Sequence, residues 1–327
     1  MALSVFSSRS KVINLVFNDQ YIRYVELKQS TPPVPLRWGE KKLSPGMISD
    51  GKIVDFDTLS MVIDECIQDW KINKREVRFI VPDSIVIIRK LSIPSDIAVD
   101  EINSYIYLEL GATIHLPFEH AVFDTVIMSK AGEKQEIILF AAPEKNVLEY
   151  SDLLSEAKLK PIAADISPLA NYRLFSAATD ELEKANAILV QFDTHLVSMT
   201  IFEGAFPLFL RHLSIELNDW LNPDAMSVQQ DGVGQVNELN YQFEDVYKEI
   251  SKLMDFYTYS FTQGKKMIEQ IAVNGDHPLF ERILAEMGER FTIPVKPITY
   301  DGSLHAEMEE FPRSYYLGLG LGLKEVK

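Results

Sequence analysis

The stretch VINLVFNDQYIRYVELKQS, residues 12–30, decides how this chain reads. Two runs rich in Val, Ile, Leu and Tyr flank a four-residue turn, Phe17-Asn18-Asp19-Gln20, which predicts a β-hairpin. A third strand-like run, VPLRWGEKKL, follows. The same unit returns as ANAILVQFDTHLVSMTIFEGAFPLFLRHLSI, residues 185–215, with turns near Asp193-Thr194 and Glu203-Gly204. Even the first turns match, VFNDQ against QFDTH. Two copies of one three-stranded unit, roughly 175 residues apart, predict a pseudo-duplicated fold. The first turn is unusual for a hairpin that grips a ligand. It lacks Gly, which allows close backbone approach, and it carries a carboxylate at its tip.

Between the two copies, Asp57 is placed to cap a helix running to about Trp70, and REVRFIVP (75–82) reads as a buried strand. From Ser84 to about Ile166 the order is strand, helix with Ser95 as N-cap, two strands around Ala131-Gly132, helix from Pro143, strand. That β-α-β-β-α-β order is the split βαβ arrangement and predicts an inserted subdomain. Residues 222–238 are polar, Gly-containing and aperiodic, so a loop is expected there, followed by a long helix to about Lys265. IEQIAVNGDHPLFERILAEMG reads as strand, turn and helix, and SYYLGLGLGLKEVK as a terminal helix packed by small residues.

The chain has 327 residues and a net charge of −16. That balance argues against nucleic acid, whose phosphates need a basic face, and against direct adhesion to an anionic membrane. Cys66 stands alone, as suits a reducing cytoplasm, and lies at helical spacing with Leu59, Ile63, Ile67 and Trp70, so it reads as core. No apolar run approaches the ~20 residues of a membrane span, and MALSVFSSRSK is too short and polar for a signal peptide. The expected location is the cytoplasm.

Three stretches carry a family resemblance: PGMISDGKIVDFDTL, then VRFIVPDSIVIIRKLSIPSDIAVDEINSYIYLELGATIHLPFEHAVFD, then DISPLANYRLF. The chain resembles the PilM family of type IV pilus assembly, which is similar to the division protein FtsA. The resemblance is most specific between about Pro45 and Phe175. It implies an α/β, actin-like ATPase fold of duplicated ribonuclease H-like domains. The first domain would comprise residues 1–83 and 167–184, the inserted subdomain 84–166, and the second domain 185–327 with a helical part around 237–268.

The departures from the family pattern are concentrated in its nucleotide turns. The family's first hairpin reads roughly DIGSSSIKAVEL. Here Val16 stands at the Asp, Asn18 at the Gly, Asp19, Gln20 and Tyr21 along the Ser run, and Arg23 at the Lys. In the second hairpin Gln191 replaces the Asp that would organise Mg²⁺, Asp193 replaces the Gly, and Thr194 follows. The adenosine turn, SGGGA in the family, is Asn274-Gly275-Asp276-His277. Like charges at about 4 Å cost ~1 kcal/mol in water and several times more in a cleft. The nucleotide cleft is therefore expected to be vestigial, with no catalytic residue, no metal and no ATP cofactor.

Other motifs read as structure. HLPFEH (115–120) has no helical ligand spacing and is broken by Pro117, and GLGLG (318–322) follows no strand. The resemblance implies a non-enzymatic cytoplasmic scaffold of a type IV or competence pilus. It would be held at the inner membrane by the cytoplasmic N-terminal peptide of a PilN-like protein, with other pilus assembly components as further partners. That peptide is expected between the first domain and its insertion, against Tyr105, Glu109, His115 and Phe118, with Glu109 meeting a basic group. An active actin-like ATPase and the cytoplasmic module of a type II secretion platform stand as alternatives.

Overall fold

The computed structural model describes residues 12–178, 185–215, 232–300 and 311–325. They divide into two compact units. One contains the chain to Ile87, Leu91–Ala177 and Tyr300 onward, and the other Ile88–Lys90 and Ala178–Thr299.

In the first unit β1 (Ile13–Phe17), β2 (Tyr21–Ser30) and β3 (Pro33–Lys42) form the expected antiparallel meander. Every residue of β1 is buried, as suits a central strand covered on both faces. A small hairpin follows, β4 (Ile48–Ser49) and β5 (Lys52–Ile53). Helix α1 (Phe56–Trp70) is capped by Asp55, which accepts the Thr58 N–H at 3.0 Å, rather than by Asp57, which lies inside its first turn. Its buried face is Leu59, Ile63, Cys66 and Ile67. Burial pushes the Cys66 thiol up to about 12, so it stays protonated and inert.

β6 (Glu76–Val81) runs parallel to β1. After it come β7 (Ile87–Pro94), α2 (Ile102–Glu109), β8 (Ala121–Ala131), β9 (Lys134–Pro143), α3 (Glu144–Glu156) and β10 (Lys160–Ile166), in the element order the sequence predicts. Two details differ. Ser95 does not cap α2: its N–H and hydroxyl bond the carbonyls of Glu133 and Gly132 in the β8–β9 turn, and α2 begins only at Ile102. β10 also does not close a four-stranded subdomain sheet. It pairs in parallel with β6, giving a five-stranded sheet in the order β10-β6-β1-β2-β3 and leaving β7, β9 and β8 as neighbours without it. Parallel neighbours need a long crossover, and the whole segment between Val81 and Lys160 serves as one.

The terminal helix α7 (Tyr316–Gly322) belongs to this unit, not with residues 185–299. Its glycines explain the placement. A Cβ on Gly318 would lie 2.7 Å from the Val25 side chain, one on Gly320 2.1 Å from the Ala170 carbonyl, and one on Gly322 2.3 Å from Leu27. Only a glycine face lets this helix lie against α4 (Ser167–Ala178) and β2.

In the second unit β11 (Asn186–Phe192), β12 (Leu196–Glu203) and β13 (Phe206–Ser214) repeat the meander. β14 (Gln270–Gly275) runs parallel to β11 as β6 does to β1, and β15 (Val295–Pro297) runs parallel to β14. Arg89 pairs with Phe209 at the far edge. Of the loop expected at 222–238, residues 222–231 lie outside the described residues. The rest is already helical, because α5 (Gly232–Asp255) starts at Gly232. Glycine costs about 1 kcal/mol within a helix, which one of this length absorbs. α5 then continues as a π-helical turn, Phe256–Phe261. α6 (Phe280–Arg290) buries Phe280, Ile283 and Met287.

Candidate functional site

The turn between β1 and β2 is closed by its own side chains. Asn18 Oδ1 accepts the N–H groups of Gln20 at 2.9 Å and Tyr21 at 2.8 Å, and the Gln20 carbonyl accepts the Leu43 N–H at 2.7 Å. The Asp19 carboxylate reaches the β4–β5 turn, where it accepts the Asp50 N–H at 2.8 Å and the Gly51 N–H at 3.1 Å. Asp50 and Gly51 have φ of 50° and 72°, and successive left-handed residues turn their N–H groups into an anion-binding concavity. Gly51 is irreplaceable there, since a Cβ would lie 2.4 Å from Ser84 Oγ and 2.6 Å from Pro82 Cβ. The buried Tyr150 hydroxyl donates to the Gly51 carbonyl at 3.1 Å. Burial, with the nearby Asp19 charge, raises its pKa and keeps it a donor.

Arg23 does not join this turn. Its Nε donates to Glu40 at 2.6 Å and its Nη1 to the Ser314 carbonyl at 3.0 Å, while its guanidinium lies 3.5 Å from the Tyr21 ring centre. It fastens the C-terminal segment to β2 and β3.

In the second unit Gln191 and Asp193 are hydrogen bonded at 2.5 Å, and the Asp193 N–H closes the β11–β12 turn on the Leu196 carbonyl at 3.0 Å, with half-buried Thr194 beside it. The β11–β14 register sets Gln191 beside Asn274 and Phe192 beside Gly275. Gly275 has φ 136°, and a Cβ there would stand 1.9 Å from the Phe192 carbonyl oxygen, so this one glycine of the adenosine turn is obligatory. Asp276 is half-buried and the next residue, His277, is almost wholly so. His277 Nδ1 accepts the Leu279 N–H at 3.1 Å, which places the proton on Nε2. Its ring meets Phe192 and Phe243 edge to face. Burial lowers its pKa to about 4, with Asp276 opposing and His195 adding. The sequence reading includes Asp276 among the site residues but not His277.

A third feature lies wholly in the first unit. A groove of about 170 Å³ runs between the end of the five-stranded sheet and the β8–β9 pair. Val81, Val86 and Ala164–Ile166 form one wall, Val122–Asp124 and Phe140–Ala142 the other, and Val147 of α3 lies between them. Ligand pockets are typically about 300–1,000 Å³, so this one suits one or two side chains of an extended chain rather than a nucleotide. A larger hollow in the second unit, about 440 Å³, is lined by charges that answer one another, Arg290 with Glu244 at 2.8 Å and Arg282 with Glu286 at 2.7 Å.

The residues expected on the groove rim sit elsewhere in the same unit. Tyr105 and Phe118 pack on the cluster of Ile93, Ile102, Ile106, Ile114 and Ile137. Glu109 accepts the Thr113 hydroxyl and closes the end of α2, and His115 is exposed in the loop that follows. None of the four lines the groove. Its wall residues come chiefly from the ends of four strands, β6, β8, β9 and β10, and most are apolar side chains that any buried strand could carry.

The model for the family described as type IV pilus assembly protein PilM matches residues 17–214. The chain belongs to the PilM family. A chain of a PilM–PilN type IV pilus biogenesis complex is similar in structure, with TM-score 0.78 at 17% identity, covering 97% of this chain and 100% of that one. The ethanolamine utilization protein EutJ of Carboxydothermus hydrogenoformans gives TM-score 0.52 at 11% identity over 95% of this chain and 88% of its own. MreB5 of Spiroplasma citri, bound to ADP, gives 0.51 at 8% identity over 94% of each chain. At such identities these likenesses show the fold alone, and the fold of this PilM-family chain is actin-like. A comparison with curated sequences finds no match. Among the described residues no helix is long and apolar enough to cross a membrane.

Proposed function

We propose that this chain is a non-enzymatic component of type IV pilus assembly, held at the cytoplasmic face of the inner membrane by an extended N-terminal peptide of a PilN-like protein. The groove between the five-stranded sheet and the β8–β9 pair carries this reading. It is apolar and narrow, and it is bordered by β8 and β10, each of which has a single strand neighbour in its sheet. An extended peptide needs such a place: pockets for alternate side chains and strand edges for its backbone. A family member described in a PilM–PilN complex supports the choice of partner class.

The nucleotide turns support the non-enzymatic part. Asp19 occupies the backbone donors of Asp50 and Gly51, Asp193 engages Gln191, and His277 fills the turn after β14 with an aromatic-packed ring. Each of these three turns thus carries its own carboxylate or packed ring where the family pattern has a glycine-lined cradle for phosphate.

The test is fluorescence anisotropy with a labelled peptide carrying the cytoplasmic N-terminus of a PilN-like protein. Micromolar binding by the native chain and its loss in Ala164→Trp, which fills the groove from an exposed position, are expected. Binding undiminished by Ala164→Trp moves the peptide to another surface.

A further inference from the structure

Two carboxylates border the groove, and they differ in how they are answered. Asp165 is buried and held by Arg173, with Lys324 Nζ 3.4 Å from its other oxygen. Asp124, on the opposite wall, is exposed. Its described hydrogen bond is to the Thr125 N–H at 2.8 Å, and among the described residues no Lys or Arg pairs with it. The groove otherwise offers aliphatic and aromatic side chains, so Asp124 is its one uncompensated charge.

An acid in that position makes a demand on whatever lies beside it. A neutral apolar occupant would cover part of the carboxylate's hydration without replacing it. An acidic one would be repelled at short range. A Lys or Arg, with an aliphatic stem for the groove and a charged head for its rim, satisfies both the apolar walls and the acid. From this we infer that Asp124 is a specificity-determining residue: the segment that occupies the groove carries a basic side chain which pairs with the Asp124 carboxylate. The inference rests on the peptide-groove reading above and places the acid that meets a basic group at Asp124 in the groove wall, rather than at Glu109, which accepts the Thr113 hydroxyl outside it. The neighbouring strand edges fix where the basic residue falls. Val122 and Asp124 point to the same face of β8, so a peptide paired along that edge sets its basic residue two positions from an apolar one.

The experiment uses the full chain and the partner-derived peptide named above, alone and with each Lys or Arg replaced by Glu. Because the pair lies at a solvent-exposed rim, the expected effect is moderate and salt-dependent. Asp124→Asn should weaken binding about threefold and Asp124→Lys about tenfold or more, and the Glu-substituted peptide should recover on Asp124→Lys. Thermal unfolding of both variants should match the native chain, since Asp124 is exposed. Three results overturn the assignment alone: binding that ignores both Asp124 substitutions, a charge swap that fails to recover, or tight binding of a partner peptide with no basic residue. A native chain that binds no version of the peptide overturns the peptide-groove reading, and this assignment with it.

Discussion

The carboxylate of Asp19 accepts the backbone N–H of Gly51 at 3.1 Å, joining residues 32 apart in sequence. With the companion bond from Asp50 at 2.8 Å, the first hairpin is tied to the β4–β5 turn by an anion that belongs to the chain. Charge-assisted bonds of this kind, partly exposed, contribute about 1–2 kcal/mol together. Asp19→Ala should lower stability by about that much in urea unfolding. Asp19→Asn, which keeps one acceptor oxygen, should lose less. Equal losses in both variants would contradict this role.

The same bonds bear on nucleotide binding. Isothermal titration of Mg-ATP should give no measurable heat, and Mg-ATP should leave the melting temperature unchanged. A ligand at a hundredfold its Kd stabilises a fold by ~2.7 kcal/mol, an effect large enough to see. A dissociation constant in the low micromolar range would overturn the vestigial reading of the cleft.

Gly320 offers a packing test. Its absent Cβ would sit 2.1 Å from the Ala170 carbonyl oxygen, which is backbone and cannot rotate away. Gly320→Ala should cost about 1–3 kcal/mol through displacement of α7. Gly288→Ala on α6, where a Cβ meets nothing within 4 Å, should be neutral or stabilising by up to about 1 kcal/mol. The comparison separates steric cost from helix propensity.

His277 makes stability depend on pH. Its folded pKa is lowered to about 4 from an ordinary 6.5, chiefly by burial. Between those values the unfolded chain binds a proton that the folded chain refuses, so stability falls as the medium is acidified through this window and is fully present above it. At pH 5 the loss relative to pH 8 is about 2 kcal/mol from this group. His277→Asn keeps an acceptor for the Leu279 N–H and cannot ionise, so its urea midpoint should fall less between pH 8 and pH 5 than the native chain's.

Much of the fold is legible in the sequence, and the limits have physical causes. Both meanders are marked by strand-length apolar runs broken at polar turns, and α1 by the spacing of Leu59, Ile63, Cys66 and Ile67. The partner of β10 is not legible. KPIAADI reads as a strand next to any neighbour, and only the assembled sheet shows that β6 takes it. The same holds for α7, whose glycines announce close packing without saying against what.

The site divides in the same way. Asn18, Asp19, Gln191 and Asp193 stand out because each replaces a residue type that a phosphate turn needs, a comparison made position by position. The groove escapes such a reading, because Val81 and Ala164 come from one sheet and Asp124 from another, and only the assembled unit brings them together. His277 carries no sequence signal beyond its place after Asp276. Its burial comes from Phe192 and Phe243 closing on it.

The tie between Asp19 and the β4–β5 turn has one more consequence. An anion supplied by the polypeptide has no concentration: it cannot run low, be hydrolysed or diffuse away. Tyr150 bonds the carbonyl of the same Gly51 and stands on α3, one turn from Val147 in the groove wall. The wall is thus anchored to an occupant that never departs. On the proposed peptide reading, the chain would meet its partner in one standing state, and the timing of assembly would rest with the supply of the peptide.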